Sequence, residues 1–260
     1  MTRRARTRLF LVSAAVLAVV VLAGFGELPS FGHPAATLGA VLNRLAPPQG
    51  HITDVVTAVN FTYRGVDTLV EEFIFFAAVT GVVLLLSPLD DELADHASDA
   101  ATGRWVPQTS DAVRVLALAL VGPTILFGLY IVAHGHLTPG GGFQGGVVLA
   151  TGVLLVYLAG EYTHLHGLYP DGFVEGVELG GASAFVLIGL VGLAVGGTFL
   201  ASWGPLGRLG QLNSAGHVPL LNLSVGAEIG AGFVLLLSAF LRQTIVLRRH
   251  PPTRHRLGSS

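Results

Sequence analysis

The 260-residue chain contains no cysteine, no lysine and a single methionine. Without cysteine there are no disulfides, thiolate metal sites or cysteine nucleophiles. Without lysine all 14 basic residues are arginine, and no membrane-embedded ammonium is available to carry a proton. Charge of either sign is scarce, at 12% of residues with a net value of -2, and no basic patch has aromatics interleaved with it. That excludes nucleic acid as a partner. What remains is 52% hydrophobic with a mean hydropathy of +0.68, too apolar for a water-soluble domain of this size.

The apolar residues fall into blocks, and a helix crosses a bilayer core in about 20 residues. Spans are read at roughly 9–25, 67–88, 112–133, 143–160, 177–200 and 219–245, giving an all-α integral membrane protein of about six transmembrane helices. The first block follows "MTRRARTR" and is open to a second reading as the core of a secretory signal. It is longer than such a core and no A-x-A site follows, so a retained helix is expected; cleavage would leave five spans with unchanged orientation. Arg3, Arg4, Arg6, Arg8, Arg104, Arg114, Arg242, Arg248, Arg249, Arg254 and Arg256 fall on the side of the N-terminus, against Arg44, Arg64 and Arg208 opposite. Short cytoplasmic loops accumulate arginine, so both termini are expected in the cytoplasm of a cell-membrane, multi-pass protein.

Acidic residues and sparse apolar content divide the chain at Ser87–Asp111. The expected organisation is a two-helix module at 1–88 with an outside loop from about Gly26 to Val66, a solvated linker at 89–111, a four-helix domain at 112–247 and a basic tail at 248–260. Glycines recur four apart at 141/145, 142/146, 176/180, 192/196 and 226/230. Such spacing lets helix backbones approach closely in lipid, which points to a tightly packed bundle or an interface between subunits.

A charge at the bilayer centre costs ~2.5–3.5 kcal/mol on insertion scales, so acids inside spans are informative. Glu228 lies near the middle of the last span among small neighbours and is the most consequential; a structural carboxyl, hydrogen-bonded to another helix, is the competing reading. Glu178 is about one turn into the fifth span, and Glu71 and Glu72 open the second after Asp67, where acids also suit a helix start. Glu161 closes the fourth span at the aqueous edge and is expected to be solvated. Between spans three and four, "HGHLTPGGGFQGG" joins His134 and His136 to Pro139, Gly140, Gly141, Gly142, Phe143, Gln144, Gly145 and Gly146. Irregular backbone at membrane depth survives only where protein or a water-filled cavity satisfies it. The histidines titrate near neutrality and suit a proton relay, or are simple surface residues. They lack a third ligand, so no metal is expected, and no Lys-Ser or Lys-Thr follows the glycines as a phosphate loop would need.

"HLTPGGGFQGG", His136 to Gly146, resembles the signature hairpin of the MnhB/MrpB family, whose members belong to multisubunit Mrp-type sodium/proton antiporters. The resemblance continues through "VELGGASAFVLIGLVGL" and "LGQLNSAGHVPLLNLSVGAEIGAGFVLLL", covering about 112–245 in order. The earlier "VTAVNFTYRGVDTLVEEFIFFAAVTGVVLLL" is similar to the C-terminal end of the large A-type component of those antiporters, and to the small protein that replaces it in membrane-bound hydrogenases. There the pattern reads F-R-G-x-D-T-x-G-E. Arg64, Asp67, Thr68 and Glu71 match, and Val70 replaces the glycine. The resemblance implies an accessory component of a cation/proton antiporter complex, neither an enzyme nor cofactor-dependent. Its partners would be the A-, C- and D-type components and the smaller ones in the lipid bilayer, with Na+ and H+ as transported ions. Two alternatives stay open: the membrane arm of a hydrogenase-like redox pump, and a purely structural role in such a complex.

Overall fold

The computed structural model describes residues 3–28, 37–86, 110–159 and 172–242, and all regular structure among them is helical. The tail at 248–260, Glu161 and all of the linker but its last two residues lie outside them. The helices are α1 (Arg3–Gly26), α2 (Thr37–Gly50), α3 (Val55–Ala58) running into a π-helical turn (Val59–Tyr63), α4 (Gly65–Leu86), α5 (Asp111–Ala133), α6 (Gly142–Ala159), α7 (Phe173–Gly196) and α8 (Val218–Arg242). Five of them, α4 to α8, are long and apolar enough to cross a membrane; the apolar part of α1, Leu11–Gly26, is shorter. The protein is a multi-pass, all-α membrane protein.

Two compact units divide the chain at 44/45. In the first, α1 is one continuous helix whose valines and leucines are mostly exposed, as suits a lipid-facing surface. The second unit holds α3 to α8, so α4 stands with the four helices that follow the linker. Within the expected outside loop from Gly26 to Val66, residues 37–50 and 55–63 are helical. Pro47 and Pro48 lie in the last turn of α2, and Asp54 starts α3 by accepting the Thr57 N–H at 3.0 Å. Thr57, Ala58 and Phe61 then share one buried face.

Helix α8 is central: 61% of its spanning window is buried, against 11–33% for the other four. Lipid is as apolar as leucine, so close packing rather than water exclusion must hold these helices together. Small residues supply it. A Cβ at Gly146 would lie 2.9 Å from the Gly226 carbonyl oxygen and from the Gly230 nitrogen, and one at Gly145 would lie 2.8 Å from the Gly128 carbonyl oxygen, so α6 is wedged between α8 and α5. Gly181 brings α7 equally close to α8, its Cβ position being 2.7 Å from the Ser224 carbonyl oxygen. Gly176 and Gly180, by contrast, face open space. Helix α7 begins four residues before its expected start and ends four before its expected end, because Gly172 and Gly197 take left-handed conformations at its two caps.

Candidate functional site

The glycine hairpin at 134–141 reverses the chain between α5 and α6 with φ of +150° at Gly140 and +125° at Gly141, conformations open to glycine. Its backbone is satisfied by distant side chains and N–H groups. The Gly135 carbonyl accepts from Thr57 Oγ1 at 2.6 Å, the His136 carbonyl from the Thr53 and Asp54 N–H groups at 3.1 and 3.2 Å, and the Leu137 carbonyl from Thr53 Oγ1 at 2.6 Å. On the other side, Asn222 Oδ1 accepts the Gly142 N–H at 2.9 Å. Residues 53–57 and α8 thus clamp the hairpin from two directions. Asn222, not singled out in the sequence, is fully buried and approaches Gly135 and Gly141 as well.

His136 is fully enclosed in this clamp, and neither ring nitrogen has a hydrogen-bond partner among the described residues. His134 is half-buried and stacks on Tyr130 with centroids 4.0 Å apart. His217, just before α8, is also buried; its Nδ1 accepts the Trp203 N–H at 3.4 Å and its ring stacks on the indole. Burial holds both His136 and His217 below the usual histidine value of 6.5, opposed at His136 by the nearby backbone of Gln211 and Leu212 and at His217 by that of Trp203. A group lowered on folding binds fewer protons in the native state, so its stabilisation is complete above 6.5 and is lost as pH falls through the lower folded value. Of the stability that the solubilised protein gains or loses on acidification below 6.5, His136→Gln is therefore expected to remove one destabilising contribution, so that its melting temperature rises relative to the wild type as pH falls. A difference between the two melting temperatures that is independent of pH over that interval would contradict this.

Three carboxyls converge inside the membrane-spanning bundle from three helices. Glu228 of α8 is 0% exposed, with no hydrogen-bond partner for either oxygen among the described residues. Glu72 of α4, 4% exposed, meets it across the interface. Glu178 of α7, 5% exposed, acts on Glu228 from the other side; its Oε1 would lie 3.1 Å from a Cβ at Gly232, one turn beyond Glu228. Helix α6 carries no charged residue, and α8 carries no basic residue before Arg242. Arg64, exposed at the start of α4, pairs with Asp67. No group of three His, Cys, Asp or Glu among the described residues is disposed to hold a metal ion.

Of the acids named from sequence, Glu228 and Glu178 come together, while Glu71 and Asp67 are exposed. Their place is taken by Glu72. The signal for it was helical phase: Gly65, Thr68, Glu72 and Val79 form the buried stripe of α4, and Glu71 is one step off it. Val70, in the position of the family glycine, is 51% exposed and disturbs no packing.

Residues 112–235, from α5 to within α8, match the family described as a domain related to the MnhB subunit of Na+/H+ antiporter. An uncharacterized protein of Methanocaldococcus jannaschii is 31% identical over 205 residues, 73% of this chain and 77% of its own length. The chain belongs to the MnhB family. The B-type component of the Na(+)/H(+) antiporter of Bacillus subtilis is 34% identical over 94 residues, 36% of this chain and 65% of that one. One chain of the membrane-bound sulfane sulfur reductase, an archaeal respiratory membrane complex, shares 31% identity and a TM-score of 0.70 over 92% of this chain and 99% of that chain. A chain of the Mrp complex from Dietzia sp. DQ12-45-1b has the same fold, with a TM-score of 0.65 and 23% identity over 92% of this chain and 26% of that chain. Glu178 and Glu228 lie inside the matched MnhB region; Glu72 lies before it.

Proposed function

We propose that this MnhB-family chain is an accessory membrane subunit of a multisubunit monovalent cation (Na+)/proton antiporter, holding the complex together and contributing buried acids to its ion path. The observation that carries the reading is the meeting of Glu228, Glu72 and Glu178 inside a bundle related to B-type antiporter components. Without lysine the chain lacks an intramembrane ammonium to alternate with these acids, which supports a role beside larger pumping components. It catalyses no chemical conversion of its own. The test is purification from native membranes: the other Mrp-type components, of the A, C and D types and the smaller ones, should accompany it.

A membrane arm of a redox-driven pump is the second reading, and the near-complete coverage of a respiratory-complex chain favours it specifically. Copurification of redox proteins would select it. Exchange assays then separate the acids: Glu72→Gln is expected to lower exchange more than Glu71→Gln, and equal losses would detach the function from the buried stripe.

Both termini lie in the cytoplasm in this reading, and the hairpin lies outside the cell membrane, on the strength of the arginine distribution. Reporter fusions after His134 and after Glu161 should give opposite sidedness. The same sidedness at both would sink the arrangement.

A further inference from the structure

The geometry points to a proton relay made of Glu72, Glu228 and Glu178, linked in that order with Glu178 farthest from the hairpin side, rather than a sodium site. This rests on reading the chain as part of an ion-translocating complex and specifies which ion its acids carry. Helices α4 and α8 run away from the hairpin end and α7 runs toward it, since Gly65 packs on Leu200, Gly142 on Asn222, and Gly189 on Phe199. Contacts between the helices fix their levels: Gly181 of α7 packs on the Glu228 nitrogen, and Phe75 of α4 and Glu178 of α7 both reach Gly232, one turn beyond Glu228. The three carboxyls therefore lie within about one to two turns, ~5–11 Å, of one another along the bundle, with Glu178 farthest from the hairpin.

Sodium needs several oxygens at once, and inside membranes these come from unwound helix backbone as well as carboxylates. Here α4, α7 and α8 are continuous α-helices through all three acids, so their carbonyls are taken by the helix itself. Room is lacking too. A Cβ at Gly181 would lie 2.6 Å from the Glu228 backbone nitrogen, and beyond Glu228 the rings of Phe75 and Phe233 meet with centroids 5.3 Å apart. A proton needs no such shell. The groups facing Glu228 are Glu72 from α4 and Glu178 from α7; Glu71 adds to the field at Glu72, and Glu175 to that at Glu178. All are acids, so the cluster carries no fixed positive charge that would hold it ionised.

In the transfer, the O–H bond of protonated Glu72 breaks as one forms on an intervening water, which passes one of its own protons to ionised Glu228, leaving Glu72 ionised and refilled from the hairpin side. The second step moves the proton past the turn from Glu228 to Gly232, through water, to Glu178. No oxidant or reductant is involved. Charge moves only with the proton.

The test uses the purified whole complex. Infrared difference spectra of the wild type should show a deuterium-sensitive carboxylic-acid band that grows on acidification and does not respond to added NaCl at fixed pH. Loss of that band on adding NaCl, with no response to choline chloride, would overturn the proposal. In proteoliposomes, Glu72→Gln, Glu228→Gln and Glu178→Gln should each reduce proton-coupled exchange about a hundredfold while leaving the half-saturating sodium concentration within about twofold. Variants that keep their maximal rate but need at least tenfold more sodium would assign the acids to sodium and overturn the relay. Full activity in all three would refute any role of the acids in the ion path. Copurification with redox proteins alone would overturn the antiporter reading without touching the infrared result.

Discussion

Gly142→Val is expected to prevent the chain from assembling into its complex. A Cβ there would fall onto the Asn222 carbonyl oxygen and lie 2.7 Å from Val225 Cβ and 2.9 Å from the Gly226 nitrogen. Two of those three are backbone atoms of α8, which cannot turn aside as a flexible side chain would. Valine adds two further carbons to that contact. Overpacking of this kind costs typically about 1–3 kcal/mol where side chains can yield, and more where helices must part. Separating α6 from α8 would also break the bond from the Gly142 N–H to Asn222 and loosen the Gly146 contact one turn on. Native gel electrophoresis of solubilised membranes measures the outcome: the Gly142→Val complex should be largely absent. Gly180→Val, where nothing lies within 4 Å, should leave the chain's own fold intact. A fully assembled Gly142→Val complex that no longer transports would give the hairpin a direct role in the ion path.

That contact also marks how far the sequence could be read. The apolar blocks and the need for about 20 residues per crossing located α4 to α8, because the constraint acts along the chain. The four-apart glycines announced close packing, but which pairs pack depends on helix rotation: 142/146 and 226/230 meet each other, whereas 176/180 meet nothing within 4 Å among the described residues. Hairpin irregularity was legible as a demand for outside hydrogen-bond partners. Those partners, residues 53–57 and Asn222, are non-local and carry no pattern that names them. The same holds for α4, separated by the linker from the bundle it packs into. Glu71 and Glu72 are adjacent in sequence yet about 100° apart around the helix, so the family pattern selected one and the bundle buries the other.

Glu228→Gln and Glu228→Leu, taken together, are expected to separate stability from function at the centre of the bundle. In most buried carboxyls, substitution breaks hydrogen bonds, and the variant unfolds before its function can be judged. Glu228 is different: among the described residues its carboxyl faces only the acids Glu72 and Glu178 and no fixed hydrogen-bond donor, and its backbone contact with Gly181 is made by main-chain atoms that every variant keeps. Glutamine preserves the shape, and leucine removes the polar group. Replacing buried charged groups by apolar residues of similar volume is often neutral or stabilising by about 1–4 kcal/mol. Both variants should therefore assemble normally, with the leucine form melting no lower than the wild type. Ion exchange should fall about a hundredfold or more in each, the scale of losing a positioned proton-transfer group. Glutamine's hydrogen-bonding capacity should rescue nothing, because what is lost is the exchangeable acid proton. If Glu228→Leu instead disrupts assembly while Glu228→Gln assembles and transports at the wild-type rate across pH, the carboxyl serves packing alone, and the path for ions lies elsewhere in the complex.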